Sequence, residues 1–177
     1  MSLRPAIRAT KQSFYSWINF VFNRVDYNRV KEVGADRAAA EWALRMGGAV
    51  KFIGQQDWTR DYNKIPIRPR RDLLLEAIDM SRTSIIDIGL EHLNGLEHVW
   101  LVNLSKCNYL LDGSLTHLMC ISDTLCHLDI SYCQSITSDG IPALYELKNL
   151  KCLIIEGNDG MKMIKELQEH LPHCKIN

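Results

Sequence analysis

Four segments of the chain carry the same order of apolar and polar positions. They are IDMSRTSIIDIGLEHL from Ile78, VNLSKCNYLLDGSLTHL from Val102, LDISYCQSITSDGIPAL from Leu128 and LIIEGND from Leu153. Ile78, Val102, Leu128 and Leu153 open the units, and Met80, Leu104, Ile130 and Ile155 follow two positions later. That spacing puts each pair on one face of a strand. Cys107, Cys133 and Asn158 then share a column, Leu110 aligns with Ile136, and the pairs Leu90/Leu93, Leu115/Leu118 and Ile141/Leu144 mark a helix-like return. The first unit is one residue shorter between strand and turn.

Self-similarity at a period of about 24 to 26 residues is the signature of a leucine-rich repeat. A column that accepts Asn as readily as Cys calls for an inward side chain bonded to the neighbouring coil's backbone. Cys133 is therefore expected to be part of the wall, its pKa raised by apolar surroundings and its thiol a poor nucleophile. His92 and His117 precede the last core Leu of their units, a position expected to face outward on the helical side. The cluster HLPHC, from His170 to Cys174, reads as the end of a final helix with Cys174 and Ile176 entering a last strand. It lacks the two spaced ligand pairs of a zinc site.

A different pattern precedes the repeats. Ile18, Val21, Phe22 and Val25 recur at helical spacing. Asp26 is placed to cap YNRVKEV, which stops at Gly34. Asp36 starts RAAAEWALRMGG, with Ala39, Trp42, Ala43 and Met46 on one face and Gly47-Gly48 at its end. KIPIRPRR, from Lys64 to Arg71, reads as a junction. The expected fold is α/β: a short leucine-rich repeat solenoid of about four repeats over residues 71–177, capped by a small helical N-terminal domain over residues 14–70. Such a cap seals the apolar end of the stack, which makes Trp17, Trp42 and Trp58 expected core residues.

Composition narrows the setting. The six cysteines (Cys107, Cys120, Cys126, Cys133, Cys152 and Cys174) form no CxxC and lie mostly within apolar patterns, the usage of reduced, buried thiols. Basic and acidic residues balance at 21 each, which argues against a nucleic-acid footprint. FYSWINFVF, the densest apolar run, is too short to cross a bilayer. Residues 1–13 hold Arg4, Arg8 and Lys11 among hydroxyl residues, and the first acid is Asp26. An arginine-rich, acid-free, amphipathic start is the composition of a mitochondrial presequence.

The stretches WINFVFNRVDY, VGADRAAAEW and GQQDWTRDYN, followed by a Pro, resemble the N-terminal region of the mitochondrial coupling factor B family, also called ATP synthase subunit s. The likeness continues through AIDMSRTSIIDIGLEHLNGLEHV and SKCNYLLDGSL and covers nearly everything after Ser13. It implies a mature form beginning near Phe14 and a peripheral position on the matrix side of the inner membrane. It implies support of proton conduction and coupling by the ATP synthase, through contact with membrane-sector subunits. Family members are also named for likeness to an assembly factor of the distal membrane arm of complex I. The resemblance further implies a Mg2+ site of backbone carbonyls at Gly47 and Ser81. Carbonyls at a helix C-terminus lack intrahelical partners and suit a hard cation. The family's C-x-C becomes Ser105-Lys106-Cys107, so a vicinal dithiol is not available here.

No P-loop, GxSxG, HExxH or paired-carboxylate motif is present, so no enzymatic activity, small-molecule substrate or organic cofactor is expected. An adaptor binding other proteins through the outward strand positions Asn103, Asp129 and Ser131 is the leading reading. A ubiquitin-ligase substrate receptor would carry an F-box before its repeats, where this chain carries the factor B motifs. Arg68, Arg70 and Arg71 are candidate contacts for an acidic partner or anionic lipid heads. Reversing those charges without loss of membrane association would remove that assignment.

Overall fold

Apolar residues two apart in successive units line up into one sheet. The computed structural model describes residues 15–66 and 73–177. The expected presequence, the 70/71 boundary and Arg68, Arg70 and Arg71 lie outside the described residues. Strands β1 (Ala49–Phe52), β2 (Leu75–Asp79), β3 (Leu101–Asn103), β4 (His127–Asp129), β5 (Cys152–Ile154) and β6 (Lys175–Ile176) pair in sequence order. β2 to β6 are parallel, and their register aligns Ile78, Val102, Leu128, Leu153 and Ile176 in one column. The first four of these are buried.

Each coil turns in the same way. Arg82, Lys106, Tyr132 and Gly157 follow their strands at φ of 61°, 62°, 56° and 75°. The left-handed conformation costs a non-glycine residue roughly 1–2 kcal/mol, and here the ladder offsets it. The amides of Arg82, Lys106 and Tyr132 donate to the carbonyls of Ser105, Ser131 and Glu156 at 2.8, 2.8 and 2.7 Å. The next residue points inward and bonds the preceding coil. Cys107 Sγ donates to the Met80 carbonyl at 3.0 Å, Cys133 Sγ to that of Leu104 at 3.0 Å, and Asn158 Nδ2 to that of Ile130 at 2.6 Å. These thiols and the amide do the same work: each ties its coil to a backbone carbonyl of the coil before it. Burial pushes the Cys133 thiol up to about 12 and raises that of Cys107.

The return path is made of 3-10 helices, at Asp87–Leu93, Asp112–Ile121, Ile141–Leu144 and Asp159–Met163, with an α-helix, Ile164–His170, only in the last unit. The paired leucines at i and i+3 favour this, because three residues per turn eclipse that spacing onto one face.

The N-terminal region is helical over residues 15–23 (α1), Tyr27–Val33 (α2) and Ala35–Arg45 (α3). Asp26 caps α2 by accepting the amides of Asn28 and Arg29, and Gly34 ends it at φ 89°. Asp36 does not cap α3. Its carboxylate accepts the Leu75 amide at 2.8 Å and so ties the helix to the sheet. The same region supplies β1, which pairs antiparallel with β2 and closes that edge. Core residues run without a break from Ala39 on α3 to Cys174 at the far end.

Three expectations need correction. Trp42 is buried, but Trp17 and Trp58 are exposed, at 62% and 37%. Their helix and loop present them outward rather than over the end of the stack. His92 does not face out: it is buried, because α3 packs on the first return helix and Trp42 stacks on its ring at 4.5 Å. Ser131 is buried as well and does not join Asn103 and Asp129 on the open face.

Candidate functional site

Among the described residues, no three or more His, Cys, Asp or Glu are grouped so as to hold a metal ion. What the fold builds instead is a locked junction, a surface helix rich in aromatics and an open sheet face.

The junction is buried and polar. Asn23, fully buried at the end of α1, donates from Nδ2 to the Ser84 carbonyl at 3.4 Å and accepts the Ile86 amide at 3.1 Å. A β-carbon on Gly89 would lie 2.3 Å from Asn23 Oδ1, so a residue without one is needed there. Glu41 on α3 receives Arg29 Nη2 at 2.7 Å and Arg37 Nε at 2.9 Å, and Arg37 also donates to the Pro66 carbonyl. Tyr27 Oη reaches Glu91 on the first return helix at 3.1 Å. Sequence patterning finds the helices but not the Asn23 and Tyr27 contacts, which join residues more than 60 positions apart.

His92 gives the junction a pH dependence. Burial, with Arg45 nearby, lowers its pKa to about 4 from an ordinary 6.5. Between those values the unfolded chain binds a proton that the folded chain excludes. Stability therefore falls as pH drops through 6.5, and the loss is complete near pH 4. At 1.36 kcal/mol per pKa unit the loss amounts to about 3 kcal/mol. Urea unfolding at pH 7 and pH 4.5 is expected to show most of it, and to show a smaller difference for His92→Phe.

Gly47 lies two residues before β1 and Ser81 two residues after β2, beyond the paired ends Ala49 and Asp79. A β-carbon on the intervening Gly48 would lie 2.5 Å from the Asp79 carbonyl, so the two backbones touch there. Gly47 itself has φ 85°, just beyond the end of α3. The Asp79 carboxylate is already engaged: Oδ1 accepts the Ser81 amide at 2.9 Å, and Oδ2 lies 3.5 Å from Arg60. Two neutral carbonyl oxygens and water would make a low-charge donor set, of the kind that binds a divalent cation weakly. Cys107, at the position of the family's second thiol, is buried and bonded to Met80.

The surface helix α1 carries several exposed apolar side chains. Trp17, Phe20 and Val21 recur at i, i+3 and i+4 on α1 and are exposed at 62%, 48% and 48%. Beside it, α1, the end of α3 and the turns at Ser84, Ile86 and Tyr109 enclose a groove of about 820 Å³. Exposed aromatics gathered on one element mark an interaction site more often than an accident of packing.

Comparisons with known proteins agree with the expected family. No protein-family model matches the chain. ATP synthase subunit s, mitochondrial, of Homo sapiens is 42% identical to it over 170 residues, spanning 92% of this chain and 85% of the relative. Distal membrane arm assembly component 2 of Drosophila melanogaster is 31% identical over 159 residues, spanning 84% of this chain and 55% of that protein. Among solved structures, the yeast Rad7 and Elc1 complex aligns with 51% of this chain and 23% of that chain, at a TM-score of 0.41 and 20% identity.

Proposed function

Because the chain belongs to the mitochondrial ATP synthase subunit s family, we propose that it is a non-enzymatic accessory protein of the mitochondrial ATP synthase. It docks on membrane-sector subunits at the matrix side of the inner membrane and supports the coupling of proton flow to ATP synthesis. The observation that carries this reading is 42% identity extending over 92% of the chain, so that the helical region and the repeats are shared together. The stacked units are, in this reading, a short leucine-rich repeat solenoid that supplies a rigid surface for binding. The aromatic face of α1 suits a peripheral attachment, and no helix of the described residues is long and apolar enough to cross a membrane.

Affinity capture of the full chain from gently solubilised mitochondria, followed by native separation of intact complexes, tests the reading. Co-migration with the ATP synthase is expected. Migration with complex I assembly intermediates instead would favour a second reading, which rests on the 31% identity to the distal membrane arm component. Migration with neither complex would overturn both.

The Gly47 and Ser81 carbonyls are the place assigned to the magnesium ion implied by family likeness. With two neutral protein donors, binding in the millimolar range is expected. Ten millimolar-scale Mg2+ should then raise the melting temperature by only about a few degrees over a sodium control of equal ionic strength. No difference from that control would remove the site.

A further inference from the structure

The open face of the sheet carries a row of side chains that neither the core nor the junction uses. Strand register sets Asp79, Asn103 and Asp129 side by side. With neighbouring strands about 4.8 Å apart, the two carboxylates stand roughly 10 Å from one another. All three side chains are fixed in the same way. Each Oδ1 accepts the amide two residues on: Ser81 at 2.9 Å, Ser105 at 2.9 Å and Ser131 at 2.8 Å. The second carboxylate oxygens remain for other partners.

At one end that partner comes from the chain itself. Arg60, its side chain 65% exposed, brings Nη2 to 3.5 Å from Asp79 Oδ2. At the other end, Asp129 has no ion-pair partner among the described residues. Between them lies a pocket of about 230 Å³, bounded also by Trp58, Leu101, His127 and Ile154. Ligand sites for small molecules run to about 300–1,000 Å³, so this one is the size of a single side chain.

We propose that this pocket receives one arginine side chain from a basic segment of a partner protein lying across the sheet. The aliphatic stem would rest on Leu101 and Ile154, as long cationic side chains do on apolar surface. The guanidinium reaches Asp129, with the Trp58 ring as a cation-attracting wall. A planar guanidinium matches a carboxylate better than an ammonium does, and Arg60 already shows that chemistry at the equivalent acid. Phosphate-bearing partners are disfavoured, because both fixed charges of the row are negative. The proposal does not depend on which membrane complex the protein serves.

An ion pair in a site this open is weak alone, so the test must detect weak binding. The isotopically labelled full chain is titrated with the blocked tripeptide Ala-Arg-Ala and, separately, with blocked Ala-Glu-Ala, and followed by NMR. The arginine peptide is expected to shift the Trp58 indole N–H and the amides of Asn103, His127 and Asp129, and the glutamate peptide to leave them in place. Asp129→Asn keeps an oxygen for the Ser131 amide, so the turn should survive, while affinity for the arginine peptide falls about fivefold, which corresponds to about 1 kcal/mol. Unchanged resonances of Leu90 and Leu144, buried and outside the pocket, would certify the fold of the variant. Equal response to both peptides, no response to the arginine peptide, or a response that Asp129→Asn leaves intact would overturn the proposal.

Discussion

Replacing Trp42 with alanine is expected to destabilise the protein by about 3–5 kcal/mol, the usual loss for a buried large aromatic. For a chain of this size that corresponds to a melting temperature lower by about 6–20 °C. Trp42 is 1% exposed and stacks on His92, and its ring is among the nearest neighbours of Gly89. The side chain therefore joins α3 to the first return helix and sits under the Asn23 contact that holds α1. Its loss opens a cavity at the junction and lets water reach His92. The pKa of His92 should move back toward its ordinary value, and the acid destabilisation described above should shrink with it. Thermal unfolding of Trp42→Ala at pH 7 and pH 4.5 checks both effects. A change below about 1 kcal/mol would mean that helices and sheet do not share one core.

Leu128→Ala is expected to cost about 2–5 kcal/mol. Leu128 is fully buried and lies between Val102 and Leu153 in the central column of the sheet. Removing its branch leaves a void that neighbours on both sides are too constrained by strand pairing to fill. Because each coil rests on the next, the loss should lower the cooperativity of the stack as well as its stability. Chemical unfolding followed at Trp42 and, separately, by hydrogen exchange in β5 checks this. The exchange probe should open before the tryptophan probe in the variant and together with it in the parent protein.

The columns were legible in the sequence because a strand's two-residue period and a fixed unit length leave few arrangements of Ile78, Val102, Leu128 and Leu153. The caps at Asp26 and Gly34 were legible for a similar reason, since their chemistry is local. Contacts between distant segments were not. His92 and His117 hold equivalent places in their units, yet only His92 is buried. The difference lies in α3, which covers the first return helix and ends before the second. β1 was hidden because four residues between glycine-containing turns carry too little alternation to declare a strand. The left-handed positions at Arg82, Lys106 and Tyr132 gave no signal, because only Gly157 in that column has the expected residue type. The Asp/Asn-x-Ser at 79–81, 103–105 and 129–131 acts as a turn that aims a row of side chains, a role that only the strand register reveals. The Gly47 and Ser81 assignment came from family likeness alone.

Function in this account resides on surfaces, and the inward thiols are building material. Alkylation of the native protein, read cysteine by cysteine by mass spectrometry across a urea series, tests that most directly. Cys107 and Cys133 are expected to stay unmodified in the folded chain and to react only in step with global unfolding. Either thiol reacting in folded protein at the rate of a free cysteine would contradict the account, since it would place an accessible nucleophile where the structure has a wall.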